Sequence, residues 1–134
     1  MTKINLGGTT AAMFHKAGEW KQGLDFLTPN EAFIQAGTWW YEKGKALKAH
    51  VHIANERTVP FTQEVVVVIN GRLRVDLYDA DLRIFHQETL EAGDIGILLE
   101  AGHGYETLDS DTKVLEIKNG PFVSVAKDKR LLTI

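Results

Sequence analysis

Three observations predict an all-β fold. Short runs of alternating or wholly apolar residues recur from Phe33 to the end of the chain. Gly, Asn and Asp residues with turn chemistry separate them at close, regular spacing. The longest apolar run, Val65 to Ile69, has a strand's length and is far too short to span a bilayer. Seven or so short strands in series argue for an antiparallel sandwich or barrel.

The first thirty-two residues are the least patterned, and Thr10 to Lys16 reads as a short helix. Thr28-Pro29-Asn30-Glu31 reads as a turn or helix start. The expected organisation is therefore an irregular or partly helical arm over 1–32, followed by one β domain over 33–134. Within that domain Gly37–Tyr41 is aromatic and Thr-rich, and Leu47–Ile53 alternates. Glu64–Ile69 is nearly all valine, and Leu73–Tyr78 alternates with Arg74 and Asp76. Leu82–Leu90, Ile95–Leu99 and Lys113–Lys118 complete the series. Asn70-Gly71 joins two strand candidates and is the dipeptide that a two-residue hairpin turn favours. Asp79-Ala80-Asp81 and Ala92-Gly93-Asp94 supply further breaks.

Composition narrows the function. The chain has no cysteine, which excludes disulfides, thiolate metal sites and a cysteine nucleophile. Fifteen Lys and Arg against 18 Asp and Glu give a net charge of −3, the wrong sign for binding a nucleic-acid backbone. Residues 1–8 carry no apolar core of signal-peptide length, so the expectation is a cytoplasmic protein with no membrane partner. Gly7-Gly8 lacks the context of a phosphate loop, and no Gly-x-Ser-x-Gly motif offers a serine nucleophile.

Histidine is the informative residue. Two of the five, His50 and His52, fall within the alternating Leu47–Ile53 run. On a strand, residues two apart share a face about 6.6 Å apart, close enough for two imidazoles to share one ion at about 2.0–2.1 Å each. Solvent-facing histidines on an edge strand are the plainer explanation. His15 and His86 have no partner at ligand spacing and read as surface or core residues. The Trp39-Trp40-Tyr41 cluster reads as core.

Around His50-x-His52 the spacing acquires a pattern. Gly44 stands six positions before His50, and Glu64 stands seven before Gly71. Downstream come Gly93-Asp94, an apolar run and His103-Gly104-Tyr105. From about Gly37 to Phe122 the chain resembles the cupin superfamily. Thr62-Gln63-Glu64, Gly102-His103-Gly104-Tyr105 and Lys118-Asn119-Gly120-Pro121-Phe122 resemble small single-domain bacterial cupins of mostly unassigned activity. The resemblance implies a double-stranded β-helix, the jelly-roll barrel. It also implies one divalent transition metal ion (Zn, Fe, Ni, Mn or Co) on His50, His52, Glu64 and His103. Three imidazoles and a carboxylate suit such an ion and leave positions for water or substrate. Two features depart from the family pattern. Eleven residues separate His52 from Glu64, a longer spacer than usual, and Glu56 stands at the shorter spacing as the alternative carboxylate. The second motif lacks its usual proline and is one residue short before His103.

Side-chain parity adds two expectations. With Glu64 inward, Val66 and Val68 join it, while Val65, Val67 and Ile69 form an apolar outer face. A second subunit, or Trp20, Phe26 and Phe33 from the N-terminal segment, would cover that face, and a homodimer is expected. On the last run Glu116 and Lys118 share a face, and Tyr105 shares the direction of His103. Arg57, Tyr105 and Lys118 are therefore candidate substrate contacts, with no residue singled out as catalytic.

The sequence leaves three function classes. The resemblance implies a metal-dependent enzyme on a small polar molecule, of isomerase, dioxygenase, decarboxylase or lyase type, with carbohydrate chemistry included. A non-catalytic small-molecule or metal-binding module is the second. A metal-independent sugar epimerase using histidine as acid/base is the third.

Overall fold

The computed structural model describes residues 1–133; residue 134, the last of the expected β domain, lies outside them. The described residues form ten strands: β1 (Thr2–Leu6), β2 (Thr9–His15), β3 (Gly23–Phe26), β4 (Gly37–Trp40), β5 (Glu64–Asn70), β6 (Arg72–Tyr78), β7 (Ile84–Glu91), β8 (Ile95–Leu98), β9 (Gly102–Thr107) and β10 (Lys113–Lys118). One 3₁₀ turn (Ala17–Glu19) and one helical turn, α1 (Val125–Asp128), are the helical elements among the described residues. The fold is all-β and antiparallel, as expected. A five-stranded sheet in the order β1-β2-β8-β5-β10 stands beside a three-stranded sheet, β7-β6-β9, and β3-β4 form a separate pair. Among the described residues these sheets do not close into a barrel. No described helix is long and apolar enough to cross a membrane.

Apolar alternation is what joins the two larger sheets. Val66 and Val68 of β5, Ala12 and Phe14 of β2, and Leu98 of β8 meet Leu73, Val75 and Leu77 of β6 and Leu90 of β7 in one buried cluster. Burying each large side chain of this kind is worth about 1.5–3 kcal/mol. The other face of the five-stranded sheet is covered within the chain. Val65, Ile97 and Met13 pack there against Leu27 and Ile34, with Ala32 and Ala36 at the edge. The valine face that pointed to a second subunit is thus largely covered by residues 27–36. Trp20 and Phe26, expected to cover it, are themselves exposed at 38% and 66%.

Four further expectations are corrected. Thr10–Lys16 is not a helix: most of it is β2, paired with both β1 and β8. Residues 1–32 are consequently not an appended arm, because Phe14 is in the main core. Leu47–Ile53 forms no strand; the connection from β4 to β5 is irregular and largely exposed. β5 is already flanked by β8 and β10, which leaves that run no edge there. Finally, Asn70-Gly71 does not close a hairpin. Since both edges of β5 are taken, β6 crosses into the other sheet and pairs with β7 and β9. Gly71 makes the corner at φ +74°, where a Cβ would stand 2.5 Å from Thr112 Oγ1.

Candidate functional site

The sandwich interior changes character toward one end. Register places Lys118 opposite Glu64 on the β10–β5 ladder. On the facing sheet, His103 and Tyr105 of β9 stand opposite Leu77 and Val75, whose side chains are in the core. Residues two apart share a face. His103 and Tyr105 therefore point inward from one sheet as Glu64 and Lys118 do from the other.

Their side chains meet at Glu64, which is 6% exposed. The Tyr105 hydroxyl donates to Glu64 Oε1, and His103 Nε2 lies 2.9 Å from the same oxygen. Lys118 Nζ is 3.7 Å from Glu64 Oε2 and 2.7 Å from Glu116 Oε1. The other nitrogen of His103, Nδ1, lies 3.2 Å from the Ala101 carbonyl oxygen. Both ring nitrogens thus face acceptors, and only the imidazolium can donate to both. The group opens on a cavity of ≈ 510 Å³, which is also lined by Tyr78, Glu116 and the C-terminal residues Asp128 to Leu132.

Several motif residues act as supports. Gln63 Oε1 accepts from the Phe33 and Ile34 amides at 2.7 and 3.1 Å, and the Gln63 amide donates to Asn119 Oδ1 at 2.6 Å. These bonds hold the start of β5 beside the end of β10, where Glu64 and Lys118 sit. Asp94 accepts from the Ala17 and Glu91 amides at 2.7 and 2.9 Å, so the Gly93-Asp94 opening ties a turn to the end of β2.

Burial and charge set the protonation of the cluster. Burial pushes Glu64 upward, but hydrogen bonds from His103 and Tyr105 and the charges of His103 and Lys118 outweigh it and hold the carboxyl at about 2. Burial pushes His103 downward, yet the hydrogen bond and charge of Glu64 raise it above the ordinary imidazole value. Burial, and then the Glu64 hydrogen bond and charge, push the Tyr105 phenol upward, so it stays protonated as a donor. For Lys118 the hydrogen bond to Glu116 is the largest influence and raises it.

These directions set a pH window for stability. The depressed Glu64 contributes stability that is present above about pH 4.5 and lost as pH falls toward 2. The raised His103 contributes stability that is full below about 6.5 and lost as pH rises through its folded value. Denaturant unfolding at a series of pH values is therefore expected to show this pair's contribution at a maximum between about pH 4.5 and 6.5. A contribution that rose continuously to pH 9 would contradict the His103–Glu64 ion pair.

Of the residues singled out in the sequence, Glu64, His103, Tyr105 and Lys118 are brought together. His50, His52, Glu56 and Arg57 are not; they lie on the exposed connection between β4 and β5. The His50 and His52 rings stand 5.1 Å apart and line no part of the Glu64 cavity. No group of three or more His, Asp or Glu side chains disposed to hold a metal ion occurs among the described residues. The four implied ligands, as arranged here, do not make a metal cage. His15 is buried with neither ring nitrogen hydrogen-bonded among the described residues, and His86 stacks on Phe14 at 5.8 Å, so neither reaches the site. Sequence reasoning missed Asp128, whose carboxylate accepts from Thr62 and lies 4.0 Å from Lys118. Nothing in its local sequence signals that contact. No protein-family model matches the chain, and neither does any curated protein or solved structure.

Proposed function

We propose that the chain is an acid/base enzyme acting on a small polar molecule without a resident metal, of the isomerase or epimerase type. The observation that carries this reading is the convergence of Glu64, His103, Tyr105 and Lys118, from two sheets, on one cavity. The reading keeps the cupin resemblance, taking the two facing sheets as an open form of the jelly roll. In it, the Glu64 carboxylate takes the proton from the carbon next to a carbonyl, and the His103 imidazolium, whose ring and charge Glu64 also holds, gives one to the carbonyl oxygen. An enediol and a neutral imidazole result, and the reverse transfers return both protons. Tyr105 supplies a second donor, its hydroxyl, and the Lys118 ammonium orients a carbonyl or carboxylate oxygen of the substrate. A proton on carbon next to a carbonyl is the natural target of such a set.

A divalent metal at Glu64 and His103 is the second reading, and one distance favours it. That distance is the 2.9 Å between His103 Nε2 and the buried Glu64 Oε1, an imidazole nitrogen and a carboxylate oxygen of the types that would together hold such an ion as a Lewis acid. It requires the connection between β4 and β5 to carry His50 and His52 to the cavity.

One experiment separates the readings. Protein purified without an affinity tag is treated with chelator and incubated in D₂O with a panel of hydroxy-ketones and aldoses. Proton NMR then tracks deuterium incorporation next to the carbonyl. The acid/base reading expects exchange that survives chelation and disappears in Glu64→Gln and His103→Asn. Exchange abolished by chelation and restored by added metal would establish the second reading instead. Exchange with no substrate of the panel, chelated or metal-loaded, would favour a non-catalytic binding module.

We also propose a homodimer, with the interface on the β3–β4 pair. Leu24, Phe26, Trp39 and Trp40 are exposed there at 48%, 66%, 61% and 47%, so the two tryptophans are not the core residues expected from the sequence. Leu24, Phe26 and Trp39 share one face of the pair as an exposed apolar stripe. Sedimentation at micromolar concentration is expected to give a dimer that Trp39→Glu converts to monomer. A wild-type monomer would end this proposal.

A further inference from the structure

We infer that the substrate is an anion whose oxyanion group, carboxylate or phosphate, is held by Arg57 and Lys127 in a second cavity adjoining the Glu64 cavity. The inference rests on the acid/base reading and names the class of molecule that reading takes. The second cavity, of ≈ 340 Å³, lies between residues 57–62 and residues 119–128. Thr62 and Asp128 line both cavities, and the Thr62 hydroxyl donates to Asp128. The two spaces therefore adjoin at that pair, with Lys127 lining one and Lys118 the other.

Charge placement supplies the chemistry. Five of the chain's 15 Lys and Arg line these two cavities: Arg57, Lys118, Lys127, Lys129 and Arg130. Three carboxylates share the lining, Glu64, Glu116 and Asp128. Five cations less three anions leave +2, before the His103 imidazolium is added, on the walls of a chain whose net charge is −3 with histidine taken as neutral. A concave site of one sign within a surface of the other concentrates ligands of opposite charge.

The local pairing points the same way. Each of the three carboxylates already has a partner: Glu64 in Tyr105 and His103, Glu116 in Lys118 at 2.7 Å, and Asp128 in Thr62. The cations of the second cavity are less engaged. Among the described residues, Arg57 makes one side-chain hydrogen bond, to the Asn55 carbonyl oxygen at 3.3 Å. Lys127 makes no ion pair among them. A guanidinium from one side of the cavity and an ammonium from the other, with the Ser124 hydroxyl in the same lining, suit an oxyanion that accepts several hydrogen bonds at once. Val59 and Phe122 give the same cavity an apolar side for the carbon skeleton.

The test uses inorganic phosphate and acetate as probes, with amide NMR shifts of Asn119, Ser124 and Lys127 as the readout. The full-length protein is titrated as wild type, Arg57→Gln/Lys127→Gln, Lys118→Gln and Glu64→Gln. At least one probe is expected to give a saturable shift that weakens by roughly tenfold or more in the Arg57/Lys127 variant. Glu64→Gln is expected not to weaken it. Arg57 and Lys127 are exposed, and the amide spectra themselves check that each variant is folded. No saturable shift with either probe overturns the inference, as does equal binding by the Arg57/Lys127 variant. Binding lost only in Lys118→Gln would place the anion in the Glu64 cavity and overturn the second subsite. None of these outcomes depends on deuterium exchange, which judges the acid/base reading separately.

Discussion

Glu64→Gln is expected to drop the His103 pKa below the ordinary imidazole value. Burial, the largest influence, and the Lys118 charge then lower the ring against the Ala101 hydrogen bond only, without the carboxylate that now raises it. The same substitution is expected to cost about 3 kcal/mol of stability near pH 5.5, because it leaves a buried cation without its counter-charge. At a second pH, above the folded His103 value found by titration, where the imidazole of both forms is neutral, the cost is expected to be much smaller. Two measurements check this: a ring-proton NMR titration of His103, and denaturant unfolding at the two pH values. An unchanged His103 titration would mean that the 2.9 Å contact is not an ion pair in solution. Under the acid/base reading, deuterium exchange disappears in this variant as well.

Phe14→Ala is the second large effect. Phe14 is 1% exposed, lies in the main cluster and stacks on His86 at 5.8 Å. Deleting a ring from such a position typically costs about 3–5 kcal/mol, through lost burial and the void left behind. Denaturant unfolding is expected to show a midpoint shift of that size in one transition. A loss below about 1 kcal/mol would mean that β2 is peripheral, as the expected N-terminal arm would have made it.

The reason for that mistaken expectation is physical. Ala11-Ala12-Met13-Phe14 contains good helix formers, and nothing local reveals that β8 will offer them an edge. Propensity is a weak prior that long-range pairing overrides. The same cause misplaced Leu47–Ile53, whose alternation is real but meets no sheet edge. Asn70-Gly71 was legible as a turn, since glycine takes the positive φ there. The course of the chain beyond Gly71 depends on β8 and β10 having claimed both edges of β5. By contrast, β5 and β6 were legible because an unbroken valine run and an alternating run each end largely buried. Lys113–Lys118 was legible from its alternation alone, since Leu115 and Ile117 stay exposed.

The site divides along the same line. Tyr105 lies two positions past His103, and Lys118 shares its face with Glu116, so simple parity found groups that do meet Glu64. His50 and His52 owed their place to a spacing pattern and to a strand that does not form. Asp128 was out of reach because its position depends on how the chain returns after Pro121, which no local periodicity encodes.

The Glu64 cluster has an acceptor rooted in one sheet and two of its donors in the other. A molecule that tightens those bonds also draws the two layers together, and one that pries them apart loosens the layers against each other. Affinity at the cavity and cohesion of the sandwich are therefore linked quantities, and heat resistance becomes a gauge of occupancy. A compound library can be ranked by melting temperature alone, before any turnover has been seen.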